Sequence, residues 1–201
     1  MNNVDHEERK RLIAAKTLSL IAEEGIERAT IRRIAEELNF STRSITHYFA
    51  DKGELIEWVA DHMAETGFAI VAPLADDALE LSECLVSMTA IDQRNRHLWK
   101  VYIALWDLSS RDAALASWFQ RWTRRINDLV AGTIARHHPG HEDCEGSARK
   151  LIALVKGISV QSLLDPDTWT EAEVRTAVTG HMRSVLGSAS ATEPRGDLCP
   201  S

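Results

Sequence analysis

Proline and glycine are scarce in this chain, 5 and 10 among 201 residues, and alternating Val, Ile and Thr runs are missing, so nothing supports an architecture of short strands and tight turns. Cysteine is scarcer still. Cys84, Cys144 and Cys199 are widely separated and odd in number, which excludes a disulfide framework or a Cys-x-x-Cys metal pair and fits a reducing compartment. No apolar run approaches the ~20 residues needed to span a bilayer, and the first residues carry charge where a secretory leader needs a hydrophobic stretch. The expectation is a soluble cytoplasmic protein without membrane contact. A formal net charge of -7 repels phosphate, so any contact with nucleic acid has to be local.

What the chain does contain is apolar residues at steps of three and four along most of its length, the mark of an all-α protein of about nine helices. Ala14, Leu18, Ile21 and Ala22 form one stripe, in a helix from about Asp5 to Glu24 that stops at Gly25. Thr30 is placed to cap a short helix carrying Ile31, Ile34, Ala35 and Leu38, which breaks at Asn39. Ser41 caps a third helix with Ile45, Tyr48 and Phe49, and Asp51 with Glu54 makes a capping-box-like start for a fourth. The helices then lengthen: one towards Pro73, one from about Asp76 to Ile91, one from about Arg94 to Leu108, and a long one through Trp118, Trp122, Ile126 and Ile134 that ends before Pro139. Asp165-Pro166-Asp167 separates two last helices, expected as an antiparallel hairpin, and the tail from Gly187 lacks periodicity and reads as disordered. The expected domains are residues 1–50, residues 51–187 and a tail of residues 188–201.

Two short helices joined by a tight three-residue connection have the physical form of a helix-turn-helix, whose second helix enters the major groove. With Ile34, Ala35, Leu38 and Ile45 inside, Thr42, Arg43, Ser44, Thr46 and His47 face outward as hydrogen-bonding groups. Arg43 is the candidate base reader, because its planar fork donates two hydrogen bonds to guanine O6 and N7. Thr30, Tyr48 and Lys52 sit at helix ends where they can clamp phosphate, and Arg33 is counted with them. The run Glu7-Glu8-Arg9-Lys10-Arg11 reads as a solvated face whose basic half lies near the reader.

Thr30-Ile31-Arg32-Arg33-Ile34-Ala35, Phe40-Ser41-Thr42, His47-Tyr48-Phe49 and Lys52, preceded by Ala14-Ala15 and Glu24-Gly25-Ile26, resemble the signature of the TetR family of transcriptional regulators. The likeness is specific over about the first sixty residues. It extends more loosely through Leu163-Leu164-Asp165-Pro166-Asp167 to the C-terminal domain of the family, BetI-type members included. Asn39 and Arg43 stand where the family often has Gly, and Thr46 where Tyr is frequent. The resemblance implies an N-terminal three-helix reader and a C-terminal helical domain. It also implies a homodimer on a pseudo-palindromic DNA operator, usually repressing until a small-molecule effector pulls the two readers out of register.

Aromatic residues make up only 6% of the chain, yet Trp99, Tyr102, Trp106, Trp118, Phe119 and Trp122 fall in two successive helices. They can wall a pocket for an apolar or cationic ligand, with Gln161 as a polar partner, or equally fill the core. Leu151, Val155, Ile158, Val174, Val178, Met182 and Val185 form the stripes expected to meet an identical pair in a four-helix dimer interface. His137, His138, His141 and Cys144 lie close in sequence, but clustered histidines in a polar loop are usually solvated, and neither metal nor cofactor is expected. No Gly-rich loop, nucleophile elbow or His-Glu-x-x-His run is present, so an enzyme is the weaker reading. A helical module that binds another protein is the third.

Overall fold

The computed structural model describes residues 3–76 and 81–187, all of whose regular structure is helical. The helices are α1 (Asn3–Glu24), α2 (Ile31–Leu38), α3 (Thr42–Tyr48), α4 (Lys52–Asp76), α5 (Leu81–Ser87), α6 (Gln93–Ser109), α7 (Ala113–His137), α8 (Cys144–Leu164) and α9 (Glu171–Leu186). Beyond Gly187 the tail lies outside the described residues.

The local signals act where the sequence places them. Gly25 ends α1 at φ +92°, a conformation in which a Cβ is strained. The Thr30 and Ser41 hydroxyls accept from the backbone N–H groups of Arg33 and Ser44, each such cap contributing about 0.5–2 kcal/mol. Asn39 occupies the left-handed region at φ 54°, and a short amide side chain tolerates that conformation better than most, so the loss of Gly there leaves the turn intact. Asp51 accepts from Glu54 N–H at 2.9 Å, and the Glu54 carboxylate reaches back to Ala50 N–H at 2.7 Å. The expected box therefore closes one residue further out.

Two boundaries differ from expectation. α4 continues past Pro73 to Asp76, because a proline in a last turn forfeits only its own i→i−4 bond while the earlier ladder is complete. The helix expected from Asp76 to Ile91 is instead α5, ending at Ser87; residues 77–80 lie outside the described residues. Side chains from α6 explain the early stop. Asn95 Nδ2 donates to Ser87 O, and Trp99 Nε1 donates to Met88 O, both at 2.8 Å. These carbonyls are satisfied without another helical turn.

The buried residues form two cores. The first gathers α1, α2, α3 and the front of α4, and also takes Val101 and Leu105 from α6 and Leu115, Trp118 and Phe119 from α7. The second gathers α5, the rear of α7, α8 and α9. The N-terminal helices therefore share their core with α6 and α7, which also pack on the second core. Cys84, which is buried, has its thiol pushed up to about 11 by desolvation, and acts as an inert apolar filler.

Candidate DNA-binding and effector sites

α3 has seven residues, too few to be stable through propensity alone. It is held by Ile45 and Phe49, which enter the first core beside Ile34, Ala35 and Leu55. That anchoring leaves Thr42, Arg43, Thr46 and His47 exposed on the outer face. Ser44, half-buried, shares a 2.8 Å hydroxyl contact with the capping Ser41, and Thr46 Oγ1 donates to Arg43 O at 3.2 Å. The tip of α3 is thus ordered by its own hydrogen bonds, and the Arg43 side chain is left outward.

Tyr48 is half-buried, with its ring 4.9 Å from His6 of α1, and His47 lies 5.4 Å from Tyr48. Lys52 is exposed at the first turn of α4, with Nζ 3.4 Å from Ile26 O, a contact too long to immobilise it. Thr30 is exposed at its capping position.

Arg33 is placed otherwise than the sequence led us to expect. Its guanidinium meets Glu24 and Glu37, both at 2.7 Å, and the Arg33 side chain holds the Glu24 carboxyl below its ordinary range. Two charge-assisted bonds would have to break before it reached a phosphate, so Arg33 ties α2 to the end of α1. The basic run is also only partly solvated. Lys10 is 14% exposed, pairs with Glu54 at 3.1 Å and lies over the Trp58 ring at 4.8 Å. Arg9 lies 5.4 Å from the Phe40 ring. These contacts brace α1 against the α2–α3 turn and α4. The signal that locates them, basic residues followed much later by Phe40, Phe49 and Trp58, has no local spacing and was missed.

Between the two cores lies a cavity of about 120 Å³, bounded by Met63, Gly67 and Val71 of α4 on one side and by Ile152, Val155 and Lys156 of α8 on another. Trp99, Tyr102 and Trp122 complete the wall. An open groove of about 1150 Å³ adjoins it, sharing Trp99, Tyr102, Thr123 and Lys156.

The other expected pocket residues do not line the cavity. Trp106 is 60% exposed and, with Phe119 and Gln161, lines the outer groove. Trp118 is buried in the first core, and its Nε1 donates to Asp61 Oδ1 of α4 at 2.7 Å. Trp118 and Trp122, one helical turn apart, stack at 6.0 Å, so one is a core residue and the next a cavity wall. The α4 residues and Lys156 were missed. For Lys156 a signal existed, since it falls on the apolar stripe with Ile152, Val155 and Ser159, where a charge is out of place.

The dimer residues need the same correction. Leu151, Val155, Ile158, Val174 and Val178 are all buried within the protomer, and Met182 and Val185 pack on that same second core. Five of the seven are therefore spent on the protomer's own core, and Met182 and Val185 keep part of their surface exposed. Of the histidine group, His141 Nε2 lies 2.7 Å from Ser147 Oγ and Cys144 Sγ donates to His141 O.

A short capped helix presenting a polar face, joined through a shared core to a helical body with a cavity between its helices, is the build of a helix-turn-helix transcriptional regulator. The model described as bacterial regulatory proteins, tetR family, matches residues 13–59, and that of the BetI-type transcriptional repressor, C-terminal, matches residues 79–187. The chain belongs to the TetR family, with a C-terminal domain of the BetI type. It is a DNA-binding repressor by that membership and not an enzyme.

A BetI transcriptional regulator of Cronobacter sakazakii is 27% identical over 191 residues, covering 92% of this chain and 94% of its own. Among solved structures, a transcriptional regulator from Rhodococcus sp. Rha1 has the same fold at a TM-score of 0.79 and 18% identity, over 88% of this chain and 95% of its own. A regulator from Saccharomonospora viridis in complex with choline matches at a TM-score of 0.71 and 23% identity, over 88% and 96%. No described helix is long and apolar enough to cross a membrane.

Proposed function

We propose that the chain is an effector-responsive cytoplasmic repressor that binds a pseudo-palindromic operator as a homodimer, with a reader in residues 1–50 and an effector-binding and dimerising body in residues 51–187. The observation that carries this reading is the position of the cavity. It lies at the seam of the two cores, and α4, whose front half packs in the reader's core, supplies Met63, Gly67 and Val71 to its wall. Filling the seam moves α4 against α7 and α8, and α4 begins at Lys52 directly after the reader. The Trp122–Trp118 stack and the Trp118–Asp61 hydrogen bond give a second connection from the cavity to α4. The choline-bound neighbour supports a small molecule as effector.

The dimer is assigned to the outward faces of α8 and α9. Leu164 is 75% exposed there, and a Cβ added at Gly157 or Gly180 would meet no other atom within 4 Å. A mid-helix glycine costs about 1 kcal/mol relative to alanine. No described neighbour in the protomer crowds these two exposed positions, which leaves room for the close approach of a second copy.

Footprinting and selection from random duplexes test the proposal. A specific inverted repeat bound with strong salt dependence is expected. Arg43→Ala should lose about 1–3 kcal/mol of discrimination at one base pair in each half-site, while Lys52→Ala weakens all duplexes alike. Equal, weak binding to every duplex rejects the reader, and a monomer by light scattering at micromolar concentration rejects the dimer.

A further inference from the structure

The cavity walls carry a charge that no acidic side chain among the described residues neutralises. Lys156 is the one charged residue lining the cavity among the described residues. Its Nζ has a hydroxyl neighbour, Thr123 Oγ1 at 3.4 Å, and lies 5.6 Å from the centre of the Tyr102 ring. No carboxylate of the described residues lies within ion-pairing distance of it, although pairing is common elsewhere: Lys10, Lys16, Arg33 and Arg175 each have an acidic partner. A half-buried ammonium against apolar and aromatic walls is destabilising unless a counter-charge arrives.

The same geometry argues against a cationic ligand. An aromatic box recognises a quaternary ammonium through the negative faces of its rings. Here the Tyr102 ring already has the Lys156 ammonium beside it, and the Trp122 ring has the Arg125 guanidinium 6.0 Å from its centre. A second cation would meet like charge at the positions where attraction is needed. The neutral donors of the wall are committed within the protein: Asn95 Nδ2 to Ser87 O, Ser87 Oγ to Cys84 O and Trp99 Nε1 to Met88 O, so Lys156 is the charged donor left for a ligand.

Resting on the reading of this cavity as the effector site, we propose that the effector is a small organic anion: a carboxylate on a single ring or short branched chain, with its negative group on Lys156 and its apolar body between Trp99 and Trp122. The cavity volume of about 120 Å³ limits the apolar body to one ring at most, since a cavity of roughly 150 Å³ holds one benzene, and the rest of the ligand extends into the adjoining groove. The groove beyond Thr123 and Lys156 leaves room for the charged end to keep part of its hydration.

The test is a tryptophan-fluorescence titration of the full chain with benzoate, benzyl alcohol and choline, read beside operator binding by gel shift. Benzoate should saturate the signal and release operator, with benzyl alcohol at least about tenfold weaker and choline weaker still. Lys156→Met should reduce benzoate to the level of benzyl alcohol, whereas Lys156→Arg should retain the preference, which separates lost charge from lost folding. Tighter binding of choline, or equal benzoate affinity in wild type and Lys156→Met, overturns the anion assignment and leaves the cavity as an effector site. No response to any of the three, with operator still bound, overturns the anion assignment and the effector cavity together while leaving the DNA reader in place.

Discussion

The two cores solve opposite problems. The first, around Ile13, Ile34, Ile45, Phe49 and Leu55, is closed, and its margin is pinned by ion pairs from Lys10 to Glu54, Lys16 to Glu37, and Arg33 to Glu24 and Glu37. The seam against the second core is left incompletely filled, with an ammonium at Lys156 that has no acidic partner among the described residues and, in the adjoining groove, a buried Asn127 Oδ1 that lacks a hydrogen-bond partner there. Around α3, which leaves Arg43 facing outward, no buried side-chain polar atom of the described residues lacks a hydrogen-bond partner. On the proposed function, the packing and polar satisfaction missing at the seam are what a bound effector would supply. The difference lies in how complete the packing is, because both cores are built from the same apolar residue types.

The largest expected effect sharpens that contrast directly. Ile45→Ala opens a void in the closed core and should cost about 2–5 kcal/mol, while Ile126→Ala, at a wall that already borders empty space, should cost no more than the low end of that range, about 2 kcal/mol. Urea unfolding midpoints of the two variants measure this. Equal losses would break the distinction between a closed and an open core.

A smaller effect is expected where the cores communicate. Trp118→Phe keeps most of the ring volume but removes the hydrogen bond to Asp61. It should cost about 1 kcal/mol in stability, Asp61 being solvated once released. Operator affinity without effector should stay near wild type, and the effector concentration needed for release should rise. A wild-type release curve would show that α4 receives the signal through its own cavity residues alone.

The smallest effect concerns acid stability of the reader. The Ala50 N–H and then the Lys10 ammonium hold the Glu54 carboxyl below its ordinary value of 4.5. A carboxyl lowered on folding contributes stability that is complete above that ordinary value and is lost as pH falls through the lowered one. Thermal melts should therefore show a loss below pH 4.5 that Glu54→Gln reduces. An acid limb identical in the variant would assign the loss to other carboxylates such as Glu24, which Arg33 holds low in the same direction.

The reader was the more legible region because its signals are local. Thr30, Asn39, Ser41, Asp51 and Glu54 each act on backbone within a few residues, so the caps and the turn could be placed from the chain alone. The body was legible as helices and far less as a site. Helical spacing says that Trp118 and Trp122 share a face, but not where along the axis a neighbouring helix ends and a cavity begins. The stripes of α8 and α9 were equally plain, yet a stripe does not say whether it closes on its own chain or on a copy, and here the protomer's second core takes it.

By itself the sequence determined the helical class, the capped turn that presents Arg43 and the family, because periodicity, capping and motif spacing act through the backbone over a few residues. Tertiary structure alone decided that Arg33 and Lys10 brace the fold, that three of the clustered aromatics wall a cavity and that Lys156 lines it with no acidic partner among the described residues. Those outcomes depend on which residues, distant along the chain, the packing of whole helices brings within a few ångströms of each other.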